Sequence, residues 1–213
     1  MEPLDRDEFV AACRIAHELA SRQEVTATWH LESACAGMTV GGLTHHLLAQ
    51  IRHVTTLLSR PPAHEAPISL LDHYARAAWV SAEPHDEANT SIRDEGNTAA
   101  HTGPDTVLSE IEPLIRQLPA ALGATRDPDT VLIPWQGWSL GTDDFLVTRA
   151  MELVVHSDDL AASIDAEPVV FPAVVAEHIV QLLAGVALRR RGQSALVRAL
   201  SRPQRAPATI SAF

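Results

Sequence analysis

Residues 145–160 combine two properties that few folds accommodate together. The stretch is apolar on nearly every side, through Phe145, Leu146, Val147, Leu153, Val154, Val155 and Leu160, the pattern of a helix that is largely buried. It also carries Arg149, Glu152, His156 and Asp159, spaced three, four and three apart. That spacing puts four ionisable groups on one helical face. Burying such a stripe is costly unless the groups pair with one another or bind a metal ion. Taken alone, the pattern fits a self-satisfied ladder (Arg149 with Glu152, His156 with Asp159) as well as it fits a metal site.

A second feature tips the balance toward metal. Met38-Thr39-Val40-Gly41-Gly42-Leu43-Thr44-His45-His46-Leu47 reads as a helix capped at Thr39 with two histidines about two turns inside it. Neighbouring residues on a helix point about 100° apart, so only one of the two can easily face a given core site. Helical bundles build metal sites from inward side chains on facing helices, and a Glu-x-x-x-His helix needs such a third ligand. Two imidazoles and one carboxylate suit zinc and leave a position open for water or substrate. Iron and nickel accept the same ligand set.

The remaining chain is read as helices with one interruption. Apolar residues recur at helical spacing over residues 5–24, and a second helix runs from Thr39 to about Ser59, where Pro61-Pro62 stops it. Ser69 and Asp72 resemble a capping box opening a segment over 70–80. Residues 83–102 are polar and weakly patterned, compatible with a short helix or a loop. Gly103-Pro104-Asp105 starts an amphipathic helix through Leu122. Val131-Leu132-Ile133 and residues 135–140, broken by Pro134 and Gly137, suggest a short hairpin. Thr142, Asp143 and Asp144 start the ligand helix, with acidic side chains at its positive end. Further helices are expected over 173–191 and 194–201. The expected fold is therefore all-α, a four-helix bundle with a β-like excursion near 130–140. The chain is read as a single domain (1–213), with a bundle core over 1–166 and a helical segment and basic tail over 167–213.

Composition supports helices and narrows the partners. Aromatic residues make up only 4% of the chain, which disfavours a β-sandwich. A net charge of −11 argues against nucleic-acid binding. All sixteen basic residues are arginines, and six of them (Arg189, Arg190, Arg191, Arg198, Arg202, Arg205) fall in the last 25 positions. That cluster is either the solvated face of a terminal helix or a patch for an anionic or polyhydroxylated ligand. Two cysteines, Cys13 and Cys35, suit a reducing compartment. With no signal-peptide pattern and no apolar run of membrane-spanning length, a cytoplasmic protein with no membrane partner is expected.

With Met38-Thr39-Val40 leading to His46, and Arg149 to Leu160 containing Glu152, His156 and Asp159, most of the chain resembles the mycothiol-dependent maleylpyruvate isomerase family, within the DinB-like metal-binding helical bundles. In that family the first motif usually opens with Trp-Thr-Val, and the ligand histidine stands eight positions after the Trp. The resemblance thus implies His46 as the first ligand, with His45 a bystander and Met38 in place of a packing aromatic. It implies Glu152 and His156 as the other two ligands, and Asp159 as an aspartate behind them or in the thiol pocket. Family isomerases often carry a longer C-terminal α/β module. This sequence ends soon after Arg198-Ala199-Leu200, so residues of that module are not carried over. A short strand over 208–212 is expected to pair with the 131–140 excursion.

The resemblance further implies a divalent metal, most simply zinc, and mycothiol, a cysteine-bearing pseudodisaccharide, as thiol co-substrate. A metal-held thiolate would add to a small electrophile and yield either an S-conjugate or a rotated double bond. Asp159 would orient His156 or the thiol amine, and Arg149 would pair with Glu152 or steady an anionic substrate. Trp135 and Trp138 are read first as hairpin or core residues, and second as pocket walls. Two other readings stay open, a zinc hydrolase that activates water and a non-catalytic bundle with a structural polar stripe. A homodimer is compatible with all three.

Overall fold

A computed structural model describes residues 2–81 and 86–213. Helix α1 (Arg6–Ala20) starts at Asp5, whose carboxylate accepts the N–H groups of Asp7 and Glu8, and is followed by the short α2 (Gln23–Ala27). Helix α3 (Val40–Leu58) starts at Thr39, whose hydroxyl accepts the N–H of Gly42 at 3.0 Å. Then come α4 (Leu70–Arg76), α5 (Ala78–Ser81), α6 (Glu87–Ala100), α7 (Pro104–Ser109) and α8 (Ile111–Gly123). An antiparallel hairpin, β1 (Thr130–Ile133) with β2 (Trp138–Gly141), runs directly into α9 (Thr142–Ser163). Helices α10 (Ala173–Arg191) and α11 (Gln193–Ser201) follow.

The bundle is made by α1, α3, α8 and α9, with α1 and α3 each lying against both α8 and α9. Phe9, Leu43, Leu47, Ile51, Ile111, Leu118, Phe145 and Leu160 belong to the shared hydrophobic core. Helix α6 packs along α3, and α10 packs on α9, α4 and α1. This is the all-α bundle expected from the sequence, with the short β excursion in place. In the hairpin Val131, Ile133 and Leu140 turn to the core while Leu132 faces solvent. Among the described residues no helix is long and apolar enough to cross a membrane.

Several boundaries differ from the periodic pattern, for local reasons. The first helix ends at Ala20, where Ser21 turns back to bond the His17 carbonyl through both N–H and hydroxyl. The third segment stops at Arg76 because Ala77 is extended. The helix begun at Pro104 breaks into α7 and α8 at Glu110. Pro113, which has no N–H, cannot bond back to Ser109.

The polar stretch over 83–102 contains a full helix, α6, although residues 83–85 lie outside the described residues. Small residues and one amide hold α6 in place more than apolar periodicity does. A Cβ on Gly96 would sit 3.0 Å from the Gly42 carbonyl, so the two helices approach closely there. The Asn97 amide oxygen accepts the N–H and the hydroxyl of Thr39, while its NH2 donates to the Gly37 carbonyl at 3.0 Å.

The strand expected over 208–212 is not formed. Ile68 N–H donates to the Ser139 carbonyl at 2.9 Å, so the segment before α4 occupies that position on β2. The tail instead follows α10, where Arg190 donates to the Ala212 carbonyl and Arg191 to that of Ser211. Arg189 bridges to Asp72 at 2.8 Å. Three of the six C-terminal arginines therefore tie the tail and α4 to α10.

Gly41 lies under the buried Trp29 indole, whose Nε1–H donates to the Ala100 carbonyl at 3.0 Å. A Cβ on Gly41 would stand 2.5 Å from that ring. Replacing a helical glycine by alanine gains at most about 1 kcal/mol, whereas overpacking costs about 1–3 kcal/mol, so the clash prevails. Gly41→Ala is expected to lower unfolding stability by about 1–2 kcal/mol in denaturant titration. Gly123→Ala, with nothing within 4 Å of the new methyl, should leave stability unchanged or raised.

Candidate metal centre

Helix α9 places Glu152 and His156 one turn apart on the face that meets α3, and α3 presents His46 to the same point. Glu152 Oε2 lies 3.4 Å from His46 Nε2 and 3.1 Å from His156 Nε2. The two imidazoles stand edge to face with centroids 4.9 Å apart. All three donor atoms fall within 4.8 Å of one another. A tetrahedral zinc ion with bonds of about 2.0–2.1 Å places neighbouring donors about 3.3 Å apart, so both spacing and donor chemistry fit one divalent ion. The side chains of His46, Glu152 and His156 are 23%, 14% and 22% exposed, so solvent reaches the cluster from one side.

His156 Nδ1–H donates to Asp159 Oδ2 at 2.9 Å, which turns Nε2 toward Glu152. A carboxylate behind a histidine fixes ring orientation and tautomer in this way. Asp159 also accepts the Cys35 Sγ–H at 3.3 Å. Burial alone would push His156 down, but hydrogen bonds to Asp159, Cys35 and Glu152 and the charge of Glu152 outweigh it. They hold the imidazole well above its ordinary range. Burial would likewise raise Glu152, yet hydrogen bonds to His156 and His46 and their positive charge hold its carboxyl well below the usual range.

Arg149 lies on the same helix but does not meet Glu152, so that half of the ladder is absent. Its Nε–H donates to Thr148 Oγ1 at 3.1 Å, and its Nη1–H donates to Gln50 Oε1. The Gln50 NH2 in turn donates to the His46 carbonyl at 2.8 Å. A buried guanidinium on α9 is thereby linked to the backbone of the histidine on α3. His45 turns away and accepts from Arg52 Nη1 at 3.3 Å, and Arg52 pairs with Glu110.

Two further imidazoles stand near the cluster. Burial, with Arg149 next in effect, pushes His53 down to about 3 and His73 down to about 4. Both are therefore uncharged at neutral pH, and both feel the charge of Glu152. The Trp135 ring lies 4.7 Å from His53, and Trp138 Nε1–H donates to His73 Nδ1 at 3.1 Å. The hairpin tryptophans thus back these histidines.

Of the sequence-identified positions, His46, Glu152, His156 and Asp159 converge, and Arg149 is one link removed. Sequence reasoning missed Cys35, Gln50, His53 and His73. Gln50 and His53 follow His46 by four and seven positions, a same-face signal that was present. Nothing local marks Cys35 or His73.

Residues 10–161 match the family model described as the mycothiol maleylpyruvate isomerase N-terminal domain. The chain belongs to this family. The matched span includes every residue of the cluster. No curated protein and no solved structure matches the chain significantly.

The cluster's protons give a directional test on chelator-treated protein. His156 is raised on folding, so its contribution is complete below the ordinary imidazole range and is lost as pH rises through its raised value. Glu152 is depressed, so its contribution is present above the ordinary carboxylate range and is lost as pH falls through its lowered value. The melting temperature of the chelated protein should therefore fall as pH is raised above neutral, and His156→Gln should flatten that slope. A melting temperature that climbs across the same range would contradict the assignment.

Proposed function

We propose that the protein is a metal-dependent thiol transferase or isomerase, using mycothiol as co-substrate on a small electrophilic metabolite in the cytoplasm. The observation that carries this reading is the convergence of His46, Glu152 and His156 within the segment matched to the mycothiol maleylpyruvate isomerase N-terminal domain. In this reading the three side chains hold one divalent ion, zinc by donor set, and such an ion when bound lowers the pKa of a ligating thiol so that thiolate forms near neutral pH.

The chain's own residues position the reactants. Asp159 keeps the Nδ1 proton of His156 and so presents the Nε2 lone pair to the site. In this reading its partly exposed carboxylate pairs with an amine or amide of the thiol. Arg149 is a positioning residue that holds the His46 backbone through Gln50. The partly buried His53 and the buried His73 stay neutral and so add no charge near the cluster. The thiolate sulfur adds to an electrophilic carbon. Retention of the new C–S bond gives a conjugate, and its cleavage after rotation gives an isomer and returns the thiol.

Purified protein should carry about one equivalent of divalent metal per chain. His46→Ala and His156→Ala should empty the site, and His45→Ala should keep it, as read by metal analysis. Loss of metal in His45→Ala with retention in His46→Ala would overturn the ligand assignment.

Adding mycothiol to cobalt-substituted protein should produce a sulfur-to-cobalt charge-transfer band and release a proton, seen as a buffer-dependent heat. Asp159→Asn should weaken thiol binding about tenfold while metal content stays near one. Absence of the band at millimolar thiol, together with hydrolysis of activated esters, would replace this reading with water activation.

A further inference from the structure

A cleft of about 350 Å³ lies at one end of the bundle, where α1 and α9 begin and α3 and α8 end. Arg6, Leu58, Leu122, Arg126, Asp129 and Thr142 are among the residues around it. Thr142 and Glu152 are ten positions apart on α9, about 15 Å along the helix axis, so the cleft is separate from the metal centre. A water molecule takes up about 30 Å³ in the liquid. The cleft therefore has room for a molecule of several heavy atoms, and its volume falls in the range of small-ligand sites.

Two polar groups at this cleft have no hydrogen-bond partner within the protein. Thr142 is only 6% exposed, and its hydroxyl is buried and unpartnered. Arg126 donates through its terminal nitrogens to the carbonyls of Leu58, Arg60 and Thr130, and its Nε–H is buried and unpartnered. An unmet buried polar group is destabilising, and two beside one cleft point to a ligand that meets them. The local charge narrows its chemistry. Arg6 and Asp143 neutralise each other, and Asp129 is exposed, where solvent and salt screen it. Arg126 makes no ion pair among the described residues. Thr142 is the first residue of α9, and no side chain caps that helix end, which carries partial positive charge. A guanidinium N–H can only donate, so the missing partner is an acceptor, and its surroundings favour negative charge.

We propose that this cleft is a second binding site, for a small oxyanion of the carboxylate or phosphate type, held by Arg126 and the Thr142 hydroxyl at the start of α9. The site is independent of the reaction proposed above and of the metal. One oxygen of the anion accepts the Thr142 O–H and another the Arg126 Nε–H, so both unmet donors are satisfied by one ligand. Arg126 already holds the last residue of α3 and the first of β1. The bound anion therefore ties α3, β1 and α9 together at the bundle end, and its binding raises the stability of the fold.

The test uses the full-length protein, both metal-loaded and chelator-treated, with inorganic phosphate and sodium acetate compared against chloride at constant ionic strength. At least one of the two anions should raise the melting temperature saturably in both forms of the protein, the larger response naming the headgroup. Thr142→Ser should keep the response. Thr142→Val should melt no lower than the wild type without the anion, because it removes an unmet buried hydroxyl. It should bind the anion about tenfold more weakly, the loss expected for one hydrogen bond to a charged group. Asp129→Asn, at an exposed position, should bind about twofold more tightly, since it removes a screened like charge. No saturable response to either anion, a response confined to the metal-loaded protein, or an unchanged response in Thr142→Val would overturn the proposal. Weaker binding in Asp129→Asn would overturn it as well, since it would mark the ligand of the cleft as something other than an anion.

Discussion

A carboxylate set between two packed helices needs partners beside it, and Glu152 finds them in His46 on α3 and His156 on α9. An unpaired anion in that position would be strongly disfavoured, so α3 and α9 must keep a register in which both imidazoles reach it. The surrounding contacts serve that register. Arg149 and Gln50 link the helices directly behind the cluster. At the start of α3, Gly41 and Gly42 allow Trp29 and α6 to approach closely. A proton on His156 or a divalent cation can each offset the charge of Glu152.

The long amphipathic elements were legible in the sequence because their apolar spacing coincides with their caps. Thr39 and the acidic start of α9 fall where the pattern begins, and the shared face of Glu152, His156 and Asp159 follows from helical spacing. Choosing His46 over His45 required the family resemblance, since spacing allowed either. The breaks at Ser21, Ala77 and Glu110 were not legible from periodicity, which continues across a bend when the apolar residues on both sides face one core. Helix α6 was obscured because its stability comes from Gly96 against Gly42 and from Asn97 on Thr39, contacts between residues far apart in the chain. The tail 208–212 has strand-like composition, but arginines of α10 take two of its carbonyls.

Long-range contacts also explain which site residues stayed hidden. Asp159 is visible three positions after His156, whereas Cys35 is 124 positions distant from the carboxylate it touches. The bland ladder proved half right. His156 pairs with Asp159 as a helical neighbour, but Arg149 gives its hydrogen bonds to Thr148 and Gln50 and leaves Glu152 to the histidines.

The hairpin between α8 and α9 spans only a few residues, yet its two tryptophans reach imidazoles on different helices. Trp135 lies against His53 of α3, and Trp138 bonds His73 of α4. Trp135 is also 51% exposed at the turn. The hairpin thus joins solvent on one side to two imidazoles on the other, and a substitution at Trp135 or Trp138 changes the surroundings of His53 or His73 while every proposed ligand stays in place.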